Sequence, residues 1–321
     1  MATLQKVKWH GREAWQLEDE GLRVAALPEA GGRIVSLFDR AAGAEWLVGP
    51  EGSHPLAPVA YGMPFDANHS GGWDEMLPTV VACRYPGGEA SKSPSLPDHG
   101  ELWAVPWVDA GTADGRIALA VVGRALPYRL TRTITLRGPE GLALDYALEN
   151  LGSARFCYLW AAHPQFACEP GAQVELPDGV GEVVNVFPDD PGTLWGQAGT
   201  RHAWPELAYR GEVVRQDRVR PVELRAGRKF WLPPERAIGW AGIRRPSSRT
   251  WLRLEWDAAE LPYCGVWFDE GCINSVPTVA IEPSQGYYDD LALASGNRRV
   301  AWLEPGAVAS WALRVRVGQD R

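Results

Sequence analysis

Lysine is almost missing from this chain: Lys6, Lys8, Lys92 and Lys229 stand against 28 arginines, within a net charge of -8. Nucleic acid demands a basic face, so this balance argues against it as a partner. No run of basic residues marks a membrane surface. Long apolar stretches are also missing, since nothing approaches the roughly 18 residues of a membrane span. The opening MATLQKVKWHGREAWQLEDEG has no apolar core of the kind a secretory signal needs. The expectation is a soluble, cytoplasmic protein. The five cysteines, Cys83, Cys157, Cys168, Cys264 and Cys272, are odd in number and never two residues apart. They fit neither a disulfide framework nor a zinc site, and reduced, mostly buried thiols are expected.

Helical periodicity is scarce as well. Short β-rich runs recur instead between glycine and proline breaks. In Leu130–Leu136, LTRTITL, Thr131, Thr133 and Thr135 face one way and Leu130, Ile134 and Leu136 the other. Leu142–Asn150 follows across RGPEG, which predicts an antiparallel hairpin. Further strands are expected at 23–27, 33–38, 117–123, 251–256, 263–268, 278–282 and 311–317. The 321 residues therefore read as an all-β protein, with a sandwich as the expected packing. The region 49–100, rich in proline and glycine yet aromatic, reads as long ordered loops where binding residues concentrate.

Among only six histidines, one stands in SLPDHGELW, behind a proline and before a glycine. His99 is therefore expected on a turn. His163, in AAHPQFACEP, precedes a proline and is expected to end a strand. Glu282, in VAIEPSQGYYDDL, ends an apolar run beside Tyr287 and Tyr288, where partial desolvation makes a carboxylate a competent base near neutrality. Two imidazoles and a carboxylate, with no nucleophile elbow, point to proton transfer more than acyl transfer. The histidine spacing does not favour a metal site, and nothing requires a cofactor. Sixteen tryptophans offer flat faces suited to sugar rings, with Trp73, Trp103 and Trp267 next to polar loop groups. His69, Asp74 and Glu75 are further candidates for contacts to a ligand. Asp98 is placed either to orient His99 or to cap its turn. His10, His54 and His202 read as structural, and Glu169 resembles Glu282 only in preceding a proline.

An ordered set of motifs resembles the aldose 1-epimerase, or galactose mutarotase-like, family. It comprises AGGRIVSLFDRAAGAEWL, the HG turn, the hairpin YRLTRTITLRGPEGLALDYALEN, the strand end AAHPQF, AIEPSQGYYDDL and the closing LEPGAVASWALRVRV. The resemblance implies one large antiparallel β-sandwich, the supersandwich, spanning residues 1–321, with a sugar in a cleft on one face. It implies that Glu282 is the general base that deprotonates the anomeric hydroxyl. It also implies that His163 is the general acid at the ring oxygen and that His99 hydrogen-bonds the sugar. Where relatives carry an Arg-Gly-Gly loop this chain has Ser70, and HGELW stands where sugar-phosphate mutarotases resemble HGFAR. Both arginines are gone, which disfavours a phosphorylated hexose. In their place Trp73, Asp74 and Glu75 would offer an aromatic face and acceptors.

The leading expectation is thus a cofactor-independent isomerase of carbohydrate metabolism that interconverts the anomers of a free sugar, as a monomer or homodimer. The alternatives are a non-catalytic carbohydrate-binding or sensing protein on the same fold, a sugar-phosphate mutarotase, or another sugar isomerase or lyase.

Overall fold

The structure is a computed structural model that describes residues 2–87, 93–113, 115–138, 141–187 and 194–320. The tip of the RGPEG turn and positions 88–92 of the 49–100 region lie outside the described residues. Among the described residues, 13 strands form one sheet and eight form another, with three short two-stranded ribbons beside them. All pairings between named strands are antiparallel: consecutive runs pair through tight turns, as at Thr3–Trp9 with Arg12–Glu18. No helix among the described residues is long and apolar enough to cross a membrane.

The two sheets pack face to face over one apolar cluster drawn from both, including Leu17, Ile34, Trp73, Trp160, Leu130, Leu144, Leu254 and Leu313. The expected hairpin forms between Tyr128–Leu136 and Gly141–Asn150, in the smaller sheet. Its inward face holds Leu130 and Ile134 as the alternation requires, but also Arg132, which is fully buried. The reason lies on the facing sheet, where Glu75 meets Arg132 Nη1 at 2.9 Å and accepts from the Tyr146 hydroxyl at 2.8 Å. A charge at this depth survives only with its partner, because unpaired burial costs several kcal/mol, of order 3–5.

Six strands of the larger sheet position the site: β1 (Trp73–Met76), β2 (Ala161–Pro164), β3 (Glu182–Phe187), β4 (Ala226–Trp231), β5 (Tyr263–Glu270) and β6 (Thr278–Ser284). Their spatial order is β1–β2–β6–β5–β4–β3. The strand containing Glu282 continues through Pro283 and Ser284, so Glu282 lies within a strand and not at its end. A short helix, Leu291–Gly296, follows it, capped by Asp290 accepting from Leu293 N–H; the sequence reading had no helix there.

Candidate functional site

Alternation along these strands leaves every second side chain on the outer face of the larger sheet, and the register lines those side chains up in rows. Ala161 stands opposite Ser284, and Phe166 opposite Val279. The same register in between sets His163 level with Glu282. Asp74 is opposite His163, Gly265 is opposite Glu282 and Trp231 is opposite Gly265. One row across the sheet is therefore Asp74, His163, Glu282, Gly265, Trp231. The next, about 7 Å along the strands, runs Gln165, Ala280, Trp267, Lys229, Phe187.

Loops wall these rows into a cleft of about 480 Å³. One wall carries Phe65, stacked between His99 at 4.0 Å and His69 at 4.8 Å between ring centroids. Asp98 fixes this wall: its carboxylate meets His99 Nδ1 at 3.0 Å and accepts from Phe65 N–H at 3.1 Å. It both orients the imidazole and ties the two loops. The turn is left-handed at His99, φ 54°, and at Gly100, φ 67°. A β-carbon at Gly100 would lie 2.3 Å from the Leu77 carbonyl oxygen, so only glycine lets this turn close on the strand below. His99 and His163 face each other with ring centroids 5.1 Å apart. His163 sits one residue inside the end of its short strand, which closes at Pro164.

The floor is electrostatically unusual. Lys229 Nζ lies 2.6 Å from Glu282 Oε2 and 2.8 Å from Asp289 Oδ1. Burial raises the Glu282 carboxyl above its ordinary value, and the Lys229 ammonium pulls it back. Burial, with the charges of His99 and Lys229 nearby, holds His163 well below the usual imidazole range. His69 is pushed down to about 2, mainly by burial. His69 is thus neutral at rest, and a proton on His163 is given up more readily than from a free imidazolium. Among the described residues, His163 Nδ1 and His69 Nε2 are buried without a hydrogen-bond partner.

The structure brings together Glu282, His163, His99, His69 and Trp267 as lining residues of this cleft. It does not bring Trp73, Asp74, Glu75 or Trp103 into it. Trp73 and Glu75 point between the sheets, Trp73 edge-on to Phe166 and Glu75 to Arg132. Asp74 shares the row of His163 but is spent on Arg33, whose Nε is 2.9 Å away. Trp103 is one layer behind, donating to the Asp98 carbonyl and packed edge-on to Phe65. The expected acceptors at 74 and 75 are therefore structural ion-pair partners. Glu169, at the surface, accepts from Ser247 N–H and has no part in the cleft. The cysteines are all free. Cys157 and Cys264 are buried, whereas Cys272 is exposed at the cleft lip, against expectation.

Sequence reading missed Lys229, Asp289, Phe65, Gln165 and Asn274, all of which line the cleft. For Lys229 a signal existed. Of the few lysines it alone stands in an apolar strand, RKFWL, where a charge needs a function or a partner. Gln165 and Asn274 form a chain with His69, Asn274 Nδ2 donating to Gln165 Oε1 at 3.0 Å and Gln165 Nε2 lying 3.2 Å from His69 Nδ1. No local pattern announces that chain.

The sandwich itself recurs among solved structures. The Slr1438 protein from Synechocystis superimposes with a TM-score of 0.70 at 19% identity, covering 96% of each chain. A galactose mutarotase-like protein from Lactobacillus casei gives 0.67 at 16% identity, over 95% of this chain and 100% of that one. A galactose mutarotase related enzyme from Lactobacillus acidophilus gives 0.66 at 13%, over 95% and 97%. No protein-family model and no curated protein matches the sequence. The chain has the galactose mutarotase-like fold.

Proposed function

We propose that the protein is an aldose 1-epimerase that interconverts the α and β anomers of a free sugar. The observation that carries this reading is the placement of Glu282 and His163 level on adjacent strands, both lining one cleft beneath His99. Mutarotation needs an acid and a base that reach two oxygens on the same ring carbon, and neighbouring strand positions put side chains about 5 Å apart.

In the reaction the Glu282 carboxylate takes the proton of the anomeric hydroxyl while the His163 imidazolium gives its proton to the ring oxygen. The C1–ring oxygen bond breaks and C1 becomes an aldehyde carbon. After rotation, the ring hydroxyl returns its proton to His163 as it attacks the other face of C1, and Glu282 reprotonates the new anomeric oxygen. The pair thus carries one exchangeable proton throughout. A buried imidazolium surrenders its proton readily, which suits the acid role. His99, held by Asp98, hydrogen-bonds the sugar next to the reacting centre, and Trp267 offers a ring face to its C–H groups.

A second reading rests on the Lys229 contact. A carboxylate engaged at 2.6 Å by an ammonium is a weaker base, and a non-catalytic sugar-binding protein on this fold tolerates that cost. Anomer exchange measured by NMR saturation transfer on a panel of free aldoses and hexose 6-phosphates decides between them. Faster exchange that disappears in Glu282→Gln is expected. Binding without acceleration of any sugar would overturn the epimerase in favour of the binding protein.

A further inference from the structure

Acid–base chemistry by itself does not explain why a lysine occupies the floor of this cleft. The contact is built into the sheet. Lys229 comes from the second row of side chains, and it reaches Glu282 across Gly265, which contributes no side chain between Glu282 and Trp231. Trp231 Nε1 holds Asp289 from the other side, donating to Oδ1 at 3.2 Å. The Asp289 carbonyl accepts from Val80 and Val81 N–H, and the Val80 carbonyl from His99 N–H. The second anchor of Lys229 and the turn of His99 are therefore joined through one short segment.

We propose, on the reading of Glu282 as the reacting base, that Lys229 is a positioning residue: anchored by Asp289, it is a built-in counter-ion that keeps Glu282 ionised and fits the cleft to an uncharged aldose, excluding sugar phosphates and uronic acids. A carboxylate this deep loses its charge unless an opposite charge is beside it. The groups facing Glu282 are Lys229 from β4, His163 from β2, Asp289 just beyond β6, and His99 from its loop, while the Cys264 thiol on β5 points to the opposite face of the sheet, into the core. Lys229 is the one permanent cation among them.

The same count sets the substrate class. Among the described residues that line the cleft, Lys229 is the only lysine or arginine, against Asp66, Asp98, Asp269, Glu282 and Asp289. Its two close contacts are carboxylates. A phosphate or carboxylate on the sugar would have to displace one of them and then face the rest at low dielectric. A neutral sugar only exchanges hydrogen bonds.

The test reads Glu282 directly. Glutamate side chains are ¹³C-labelled and titrated by NMR in the wild type, Lys229→Met and Lys229→Arg, with Glu282→Gln giving the assignment. In Lys229→Met the Glu282 midpoint is expected about 1–3 pH units higher, with Lys229→Arg staying near the wild type. The acid limb of kcat/KM for an uncharged aldose should move by the same amount, with at least roughly a tenfold loss at neutral pH. Hexose 6-phosphate should neither be turned over nor compete. The titration needs no turnover, so a wild type that accelerates no sugar overturns the epimerase reading while the midpoints still decide the role of Lys229. A midpoint unmoved in Lys229→Met, or hexose 6-phosphate preferred to the free sugar, overturns the proposal. If Lys229→Met fails to fold, Asp289→Asn serves. It removes the competing anion, so the Glu282 midpoint should fall, and a midpoint that stays or rises overturns the proposal.

Discussion

A β-carbon placed on Gly265 lies 3.1 Å from Glu282 Oε2 and 3.2 Å from the Trp231 ring. Glycine at this point of a central strand gives up packing and backbone entropy, and the gain is room for a carboxylate and the ammonium that meets it. Gly265→Ala is expected to push Glu282 by a few tenths of an ångström. That should cut the anomer exchange rate about tenfold, since small misplacements of a reacting group are costly, while melting curves show stability within about 1 kcal/mol of wild type. An unchanged rate would mean that the side chain has slack.

Glu282→Gln keeps the shape of the base and removes its proton affinity. Exchange on the best sugar should fall by roughly 10²–10⁴-fold, the usual worth of a positioned base. Binding of the sugar, followed by calorimetry, should remain measurable. A retained rate would place the base elsewhere.

The pH dependence follows from the directions in which the two groups are displaced. Burial raises Glu282 and lowers His163, and turnover requires one proton on the pair. Acid protonates both and removes the base; alkali strips both and removes the acid. kcat/KM should therefore be bell-shaped, with the two midpoints belonging to the pair and not to either residue. His163→Gln should lower the maximum and abolish the limb that reports the loss of the acid.

Glu75 provides the opposite kind of test. Its carboxylate is buried against Arg132 and the Tyr146 hydroxyl, away from the cleft. Glu75→Ala should destabilise the fold by about 3–5 kcal/mol by stranding Arg132, read by denaturant titration. The KM of the remaining folded enzyme should not change. An altered KM with intact stability would return Glu75 to the binding site.

A third ion cluster predicts acid sensitivity. Burial opposes charge on Glu270, but Arg228 and Arg220 outweigh it and hold the carboxyl below its ordinary 4.5. A carboxyl depressed in the folded state contributes stability above the unfolded value and loses it as pH falls through the folded one. The stability gap between wild type and Glu270→Gln should be full near neutrality and close below pH 4.5. A gap constant with pH would show that the contribution is packing alone.

Most of the scaffold was legible in the chain because strand formation is local. Runs such as 33–38, 251–256 and 311–317 carry alternation and β-branched or aromatic residues that suit a pleated face, and each appears as a strand with slightly wider bounds. The six-residue helix after Asp290 escaped notice because one and a half turns offer too little periodicity. His99 on its turn was legible from proline and glycine punctuation, and the ordered motifs singled out His163 and Glu282, which line the same cleft.

Partnership was decided by tertiary structure. Asp74 and Glu75 are adjacent polar residues in a loop-like sequence, and nothing local says that Arg33 and Arg132 neutralise them from distant strands. Lys229 and Glu282 are 53 positions apart, and only the strand order β6–β5–β4 brings the ammonium to the carboxylate. The sequence by itself determined which segments become strands and which residue types are available for proton transfer, because backbone preference and alternation act over a few residues. Which charges pair, which histidines lose water and which tryptophan meets the cleft depended on register between strands far apart in the chain. Electrostatics and desolvation act through space.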